Sequence, residues 1–139
     1  MEQGKEIHKS VVRGGLELHV NVANALISMY WKCRRIENAR QLFEKISVRD
    51  AVTWNTMIAG YLEIGNCEEA GKLFDEMQMG KSKPDVITWS VMIYGYEQNG
   101  HGNDAVRYFS KMQLDGVKAN SVTIASALAS CAELGALQQ

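Results

Sequence analysis

The sequence contains little of what builds a metal centre, a disulfide framework or a membrane anchor. Its three cysteines, Cys33, Cys67 and Cys131, are odd in number and far apart, so no pair has the close spacing of a zinc knuckle or a redox motif. No apolar stretch approaches the length of a membrane span, and the segment from Met1 to Gly15 lacks the hydrophobic region of a signal peptide. We therefore expect no metal, no cofactor and no membrane partner, with the cysteines as small buried helix contacts.

An excess of charge of one sign is also absent, because 15 Lys and Arg residues stand against 16 Asp and Glu residues. The chain therefore lacks the net positive charge that is typical of nucleic-acid-binding proteins, and any such contact must depend on the local placement of charge. The chain has no Ser/His/Asp set, phosphate-cradling glycine loop or paired-carboxylate motif, and its histidines have no carboxylate or cysteine at ligand spacing. We therefore expect no catalytic residues and no enzyme activity.

What the sequence does contain is an internal repeat. Residues 52–61, VTWNTMIAGY, recur 35 positions later as ITWSVMIYGY in residues 87–96. The segment 69–78 recurs with the same shift, and residues 20–50 form a shorter variant of the same unit. The chain is therefore predicted to consist of repeated structural units.

Each half of a repeat has the apolar spacing of a helix, at positions i, i+3, i+4 and i+7. In the central repeat these positions are held by Trp54, Met57, Ile58 and Tyr61 in the first half, and by Ala70, Leu73, Phe74 and Met77 in the second. Between the halves, Gly65 suits the left-handed turn that ends a helix and Asn66 suits the cap of the next. A two-helix hairpin cannot bury both its faces alone, so neighbouring hairpins are predicted to stack into an all-α solenoid of about eight helices.

The two ends of the chain read as complementary halves of one further repeat. Residues 1–19 are predicted to be a second helix, and residues 121–139 a first helix with an apolar face over 121–133. That face and the helix near residues 4–13 of another molecule suggest head-to-tail self-association as one hypothesis.

The repeat pattern Val-Thr-Trp-Asn-Thr-Met-Ile, followed by Glu-Ala-x-x-Leu-Phe-x-x-Met and Lys-Pro-Asp, resembles the pentatricopeptide repeat of plant organelles. Residues 20–50 are similar to its short type, 51–85 and 86–120 to its standard type, and 1–19 and 121–139 to halves of its long type, which together resemble the mixed PLS subclass. The resemblance implies a right-handed superhelix whose first helices line the concave side.

The resemblance also implies a function in chloroplasts or mitochondria. Members of this subclass bind single-stranded RNA, one base per repeat, in RNA processing or at C-to-U editing sites. The His-x-Glu and Cys-x-x-Cys signature of an editing deaminase is absent from the sequence. The chain is therefore expected to select RNA, with any deaminase or editing factor supplied by the rest of the protein or in trans.

In the family, two residues of each repeat choose the base and a third flanks it. The base-reading pairs implied here are Asn24 with Asp50, Asn55 with Asp85, and Ser90 with Asn120, and the flanking residues are Val52, Ile87 and Val122. These pairs imply the core 5'-U/C-U-A-3'. Asn21 departs from the apolar flanking pattern, and Ala125 offers no hydrogen bond at a fourth site.

Simpler interpretations exist for the same residues. Asp50, Asp85 and Asn120 precede predicted helices and are candidate N-caps, and Trp54 and Trp89 lie in the apolar stripe, which favours core packing over base stacking. The cluster of Trp31, Lys32, Arg34 and Arg35 suits either a phosphate contact or a solvated helix end. At the level of function, the alternative is a protein-binding scaffold of the tetratricopeptide kind, although its Trp-x-x-Leu-Gly signature is not found.

Overall fold

The structure, a computed structural model, describes residues 1–15 and 19–137. Within them the chain forms eight helices and no strand: α1 (Glu2–Arg13), α2 (Val20–Lys32), α3 (Ile36–Lys45), α4 (Ala51–Glu63), α5 (Cys67–Met79), α6 (Val86–Gln98), α7 (Gly102–Leu114) and α8 (Ser121–Leu137). This confirms the predicted all-α repeat architecture. The predicted helix at the start of the chain ends at Arg13, and residues 16–18 and 138–139 lie outside the described residues.

Each helical hairpin turns on a residue with left-handed backbone. Gly65 and Gly100 have φ angles of 84° and 80°, as their residue type predicts. Arg34 occupies the equivalent position of the shorter repeat with a φ of 64°. After the central turn, the side chain of Asn66 accepts a hydrogen bond from the Glu69 amide at 3.2 Å, which confirms the predicted cap of α5.

The tryptophans of the apolar stripe join consecutive repeats. Trp54 is 8% exposed and meets Phe43 of the preceding repeat edge to face, with ring centroids 5.2 Å apart. Trp89 is 1% exposed and meets Phe74 in the same way at 4.9 Å. Both tryptophans therefore belong to the core, as predicted, and their large apolar area stabilises the stacking of neighbouring hairpins.

The first helices form a continuous row in which α2 contacts α4, α4 contacts α6, and α6 contacts α8. The second helices pack on the first helix of their own repeat, and in the described part of the chain the backbones of α3, α5 and α7 lie farther from one another than those of the first helices. They meet through side chains: Arg40 of α3 donates to Glu69 of α5 at 3.2 Å, and the ring of Phe74 in α5 packs on that of Tyr108 in α7. Because the more closely spaced layer must lie on the inside of a curved stack, the first helices form the inner layer of the solenoid.

The apolar positions at the two ends are less buried than their counterparts in the middle. No residue of α1 is buried, and Ile7 is 61% exposed. In α8, Ala127 is buried, but Leu128, at the position of the fully buried Ile58 and Ile93, is 65% exposed. In α4 and α6 this face packs on α5 and α7, whereas in the described residues no second helix follows α8.

The prediction that the cysteines are buried is wrong for two of the three. Cys33 directly follows α2 in the exposed turn, and Cys131 lies on the uncovered face of α8. Cys67 is partly buried at the start of α5.

Candidate functional site

The predicted base-reading residues come from two places in the fold. The first member of each pair lies on the inner helices α2, α4 and α6, and the second precedes the next inner helix. Asn24 Nδ2 donates to Asp50 Oδ1 at 3.2 Å, and Asn120 Nδ2 donates to Ser90 Oγ at 3.1 Å. The structure therefore brings two of the three pairs into direct contact, although their members are about 30 residues apart in sequence.

The third pair, Asn55 and Asp85, meets through an intermediate. The hydroxyl of Thr88 lies 2.6 Å from Asn55 Oδ1 and 3.0 Å from Asp85 Oδ1. The sequence interpretation did not include Thr88. Its position three residues after an N-cap is the spacing of a capping box, which is the signal that identifies it.

The second member of each pair is also a helix N-cap, as the simpler interpretation predicts. Asp50 Oδ1 accepts the Thr53 amide at 2.9 Å, and Asp85 Oδ1 accepts the Thr88 amide at 3.0 Å. Asn120 Oδ1 accepts the amide of Thr123, the third residue of α8, at 2.9 Å. Asp50 and Asn120 make these caps while also bonding to the preceding repeat, so capping and pairing are compatible.

The carboxylate of Asp50 is stabilised in its charged form. Burial raises the pKa of Asp50, but hydrogen bonds from Thr53 and Asn24 outweigh that effect, and the pKa lies below its ordinary value. All three hydrogen bonds from these two residues use Oδ1. The group therefore remains an acceptor at neutral pH.

An exposed apolar side chain follows the second member of each polar pair by two residues. Asn24 and Asn55 are 7% and 8% exposed, so each presents little more than an edge to solvent. The predicted flanking residues Val52, Ile87 and Val122 lie in the first turns of α4, α6 and α8 and are 55%, 57% and 45% exposed. Apolar side chains this exposed at one repeated position can cover the faces of a flat ligand.

The two departures from the pattern are also visible in the structure. Asn21, at the flanking position of the first repeat, is exposed but polar. Ala125, at the fourth base-reading position, is exposed and has no side-chain donor or acceptor. The complete arrangement of polar pair and apolar neighbour therefore occurs at the second and third sites.

The basic cluster lies at the opposite end of the inner helices. Trp31, Lys32 and Arg34 line a groove of about 440 Å³ together with Glu63 and Ile64. Lys32 Nζ is 5.8 Å from the centre of the Trp31 ring. Glu63 reduces the positive charge of this groove, so the cluster is not a strongly basic surface.

A metal-binding cluster and a membrane-spanning helix are both absent from the described residues. Within them, no three His, Cys, Asp or Glu side chains come together as a metal site. Nor does any helix among them have the length and apolar character needed to cross a membrane. The recurring polar pairs are therefore the candidate site.

Comparison with known proteins identifies the repeat. Models of the PPR repeat family match residues 49–97 and 84–133, and a PPR repeat model matches residues 22–50. The chain belongs to the pentatricopeptide-repeat family.

Curated pentatricopeptide repeat-containing proteins of Arabidopsis thaliana are clear relatives. A chloroplastic one is 47% identical over 85 residues, which cover 61% of this chain and 10% of the relative. A mitochondrial one is 43% identical over 82 residues, covering 59% of this chain and 9% of the relative. The chain thus spans about a tenth of the length of these two relatives.

Solved pentatricopeptide-repeat structures have the same fold. The crystal structure of PPR10 from maize matches 94% of this chain and 19% of its own with a TM-score of 0.84 at 23% identity. PPR10 in complex with an 18-nt psaJ RNA element matches 91% of this chain and 19% of its own with a TM-score of 0.81 at 25% identity.

Proposed function

We propose that this chain binds single-stranded RNA and selects it by sequence, with one base read by each complete repeat. The observation that carries the proposal is the recurrence of one arrangement along the inner helices. At the second and third sites, 35 residues apart, a partly buried polar pair lies beside an exposed apolar side chain. An unstacked base presents one hydrogen-bonding edge and two apolar faces, which such an arrangement matches.

The comparisons support the proposal from outside the chain. PPR10, a structural neighbour at 25% identity, is described in complex with an RNA element. The present chain has the same repeats over about a fifth of that protein's length. Binding by the isolated segment and by the longer array are therefore separate questions for experiment.

The proposed core is 5'-U/C-U-A-3', read in the direction of the chain. Asn24 with Asp50 is assigned a pyrimidine, Asn55 with Asp85 a uracil, and Ser90 with Asn120 an adenine by the family resemblance. Val52, Ile87 and Val122 are assigned to flank the bases. The geometry is compatible with this assignment, because each pair combines donors and acceptors that can meet a Watson-Crick edge.

The cellular setting is proposed from the same resemblance. The names of the relatives include chloroplastic and mitochondrial proteins. One 31-residue and two 35-residue repeats in succession support the PLS subclass. We therefore place the function in organellar RNA processing or the recognition of C-to-U editing sites, with an editing deaminase as a partner supplied outside this chain.

The test is fluorescence anisotropy at low salt with short RNAs containing UUA, UUU or CCC. We expect UUA to bind most tightly, and the double variant Ser90→Asn with Asn120→Asp to shift the third preference from A toward U. One hydrogen bond contributes about 1 kcal/mol net, so the preference at one position is expected to be about fivefold. The variant keeps an N-capping residue at 120, so loss of the cap does not confuse the result.

Two other functions make different predictions, one in the same assay and one in light scattering. A protein-binding scaffold of the tetratricopeptide kind predicts no base dependence, so equal binding of all three RNAs would favour it over base selection. A head-to-tail assembly uses the exposed face of α8, where Ile124 and Leu128 are 45% and 65% exposed. Light scattering that shows only monomer at high concentration would exclude that assembly.

A further inference from the structure

The hydroxyl of Thr88 makes a contact that the equivalent threonines Thr53 and Thr123 do not make. It is fully buried, accepts the Asp85 amide at 3.2 Å, and lies within hydrogen-bond distance of both Asn55 Oδ1 and Asp85 Oδ1. A hydroxyl has one proton to donate. Because the contact to Asn55 is 2.6 Å and the contact to Asp85 is 3.0 Å, the proton is assigned to Asn55 Oδ1.

This bond determines which end of the Asn55 amide is available to a ligand. With Oδ1 held by Thr88, the remaining group is Nδ2, which carries two hydrogens. Within the described residues, Nδ2 of Asn55 makes no hydrogen bond, and it is not among the enclosed unpartnered atoms. It is therefore an accessible donor.

The equivalent threonines do not have this contact. Thr53 Oγ1 bonds only to Asp50, at 2.7 Å to Oδ1 and 3.2 Å to the amide. Asn24 reaches Asp50 directly through Nδ2, and its Oδ1 is buried without a hydrogen-bond partner. Thr123 Oγ1 donates to the Asn120 carbonyl and does not contact Ser90. The two Asn–Asp pairs are thus held in opposite amide orientations.

We propose that Thr88 is a positioning residue for base selection, which holds Asn55 so that its amide N–H faces the base at the second site. The proposal rests on the proposed RNA binding. An N–H donor matches the O4 carbonyl of uracil and opposes the N4 amino group of cytosine. The second site therefore distinguishes U from C, whereas the first site lacks an equivalent donor, because Asn24 Nδ2 is already bonded to Asp50.

The chain contains its own control for this role. Thr88→Val and Thr53→Val remove the same capping-box hydroxyl from consecutive repeats, but only Thr88→Val releases a base-reading amide. Thr88→Ser keeps the hydroxyl and provides the rescue. Melting temperatures of all three variants show whether each is folded under the binding conditions.

The binding arm compares UUA with UCA by fluorescence anisotropy. We expect wild type, Thr88→Ser and Thr53→Val to bind UUA about fivefold more tightly than UCA, which is the affinity ratio that one hydrogen bond of about 1 kcal/mol provides. Thr88→Val is expected to bind the two RNAs with affinities within about twofold of each other. If Thr88→Val keeps the wild-type ratio, or Thr53→Val loses it equally, the inference is overturned.

The second arm needs no RNA. In ¹⁵N NMR spectra of the free protein, we expect Thr88→Val to shift the Asn55 side-chain amide signals and leave those of Asn24 in place, with Thr53→Val leaving Asn55 unchanged. Unchanged Asn55 signals in Thr88→Val contradict the inference. If these signals move as expected but wild type does not distinguish the RNAs, the proposed function fails and the role of Thr88 in selection fails with it. If wild type distinguishes them and Thr88→Val does too, only the role of Thr88 fails.

Discussion

Asp50, Asp85 and Asn120 each cap a helix with a side-chain oxygen, and the side chains of Asp50 and Asn120 also bond to the preceding repeat. A cap residue is fixed by short-range bonds to the helix it begins. At Asp50 and Asn120 that fixed side chain also constrains the neighbouring residue that is proposed to read a base. Local helix formation and the geometry of the candidate site are therefore coupled at single residues.

Arg34 is strained by its backbone, and we expect Arg34→Gly to stabilise the chain. Its φ of 64° lies where Gly65 and Gly100 stand in the other repeats. A non-glycine residue in the left-handed conformation costs about 1–2 kcal/mol. Replacement by glycine removes this strain, but about half of the gain is lost because glycine loses more conformational entropy on folding. We expect a gain of about 0.5–1 kcal/mol in urea unfolding.

The reciprocal change is the control for Arg34. Gly65→Arg introduces the same strain into the central repeat and is expected to destabilise it by about 1 kcal/mol. If Arg34→Gly instead lowers the free energy of unfolding, the contacts of the Arg34 side chain in its groove outweigh the strain of its backbone.

Part of the candidate site follows from residue types and part does not. The capping role of Asp50 and Asp85 is predictable, because an acidic residue before an apolar periodic segment is a local signal. Their partners are known beforehand only through the family resemblance. The bridge by Thr88 was not predicted, because it depends on where a hydroxyl lies relative to a helix 33 residues earlier.

At the level of elements, identical apolar spacing gives different burial. α4, α6 and α8 align position by position, yet Ile58 and Ile93 are fully buried and Leu128 is 65% exposed. The periodicity of a helix determines which side chains share a face. Whether that face is covered depends on the neighbouring helix, which the local pattern does not specify.

The close approach of α6 to α4 predicts that Gly95→Ala is destabilising. A Cβ at Gly95 would lie 2.5 Å from Leu62 Cδ1 and 3.0 Å from Leu62 Cβ, and Leu62 is itself buried. Alanine favours a helix by about 1 kcal/mol over glycine, but overpacking costs about 1–3 kcal/mol. We expect a net loss of about 1 kcal/mol in thermal or urea unfolding.

Gly135 in α8 is the matched control. A Cβ there meets no atom within 4 Å, so Gly135→Ala should gain up to about 1 kcal/mol from helix propensity alone. A Gly95→Ala variant that is more stable than wild type would show that α4 and α6 separate without cost.

At the scale of the whole molecule, stability is a sum over neighbouring repeats, and the proposed RNA binding is expected to be one as well. Each inner helix contacts the next, and each tryptophan of the stripe packs on the preceding repeat. In such a stack a repeat interacts mainly with its neighbours. A segment with three complete repeats is therefore expected to bind RNA with only part of the strength of a longer array.

The near-neutral charge of the chain predicts a shallow dependence of RNA binding on salt. The net charge is −1, with Lys32, Arg34 and Arg35 the one tight basic cluster. For single-stranded RNA, the logarithm of the binding constant falls with the logarithm of the salt concentration with a slope of about −0.7 for each phosphate neutralised. Contact with three nucleotides therefore predicts a slope no steeper than about −2. The measurement is the affinity for UUA from low to physiological salt.

The CCC RNA is the control for charge, because it has the same phosphates as UUA. We expect its affinity to be lower but its salt slope to be equal, since base contacts do not release counterions. A slope much steeper than −3 would indicate phosphate contacts beyond the three proposed sites.

The sequence by itself determined the repeats, the helices within them, their turns and caps, and the tryptophans of the core. All of these depend on periodicity or residue type within a few positions, which a local pattern records. Only the tertiary structure decided which oxygen of Asp50 meets Asn24, that Thr88 holds Asn55, and that Leu128 is exposed. These contacts join residues about 30 positions apart, and they depend on how closely one hairpin packs against the next.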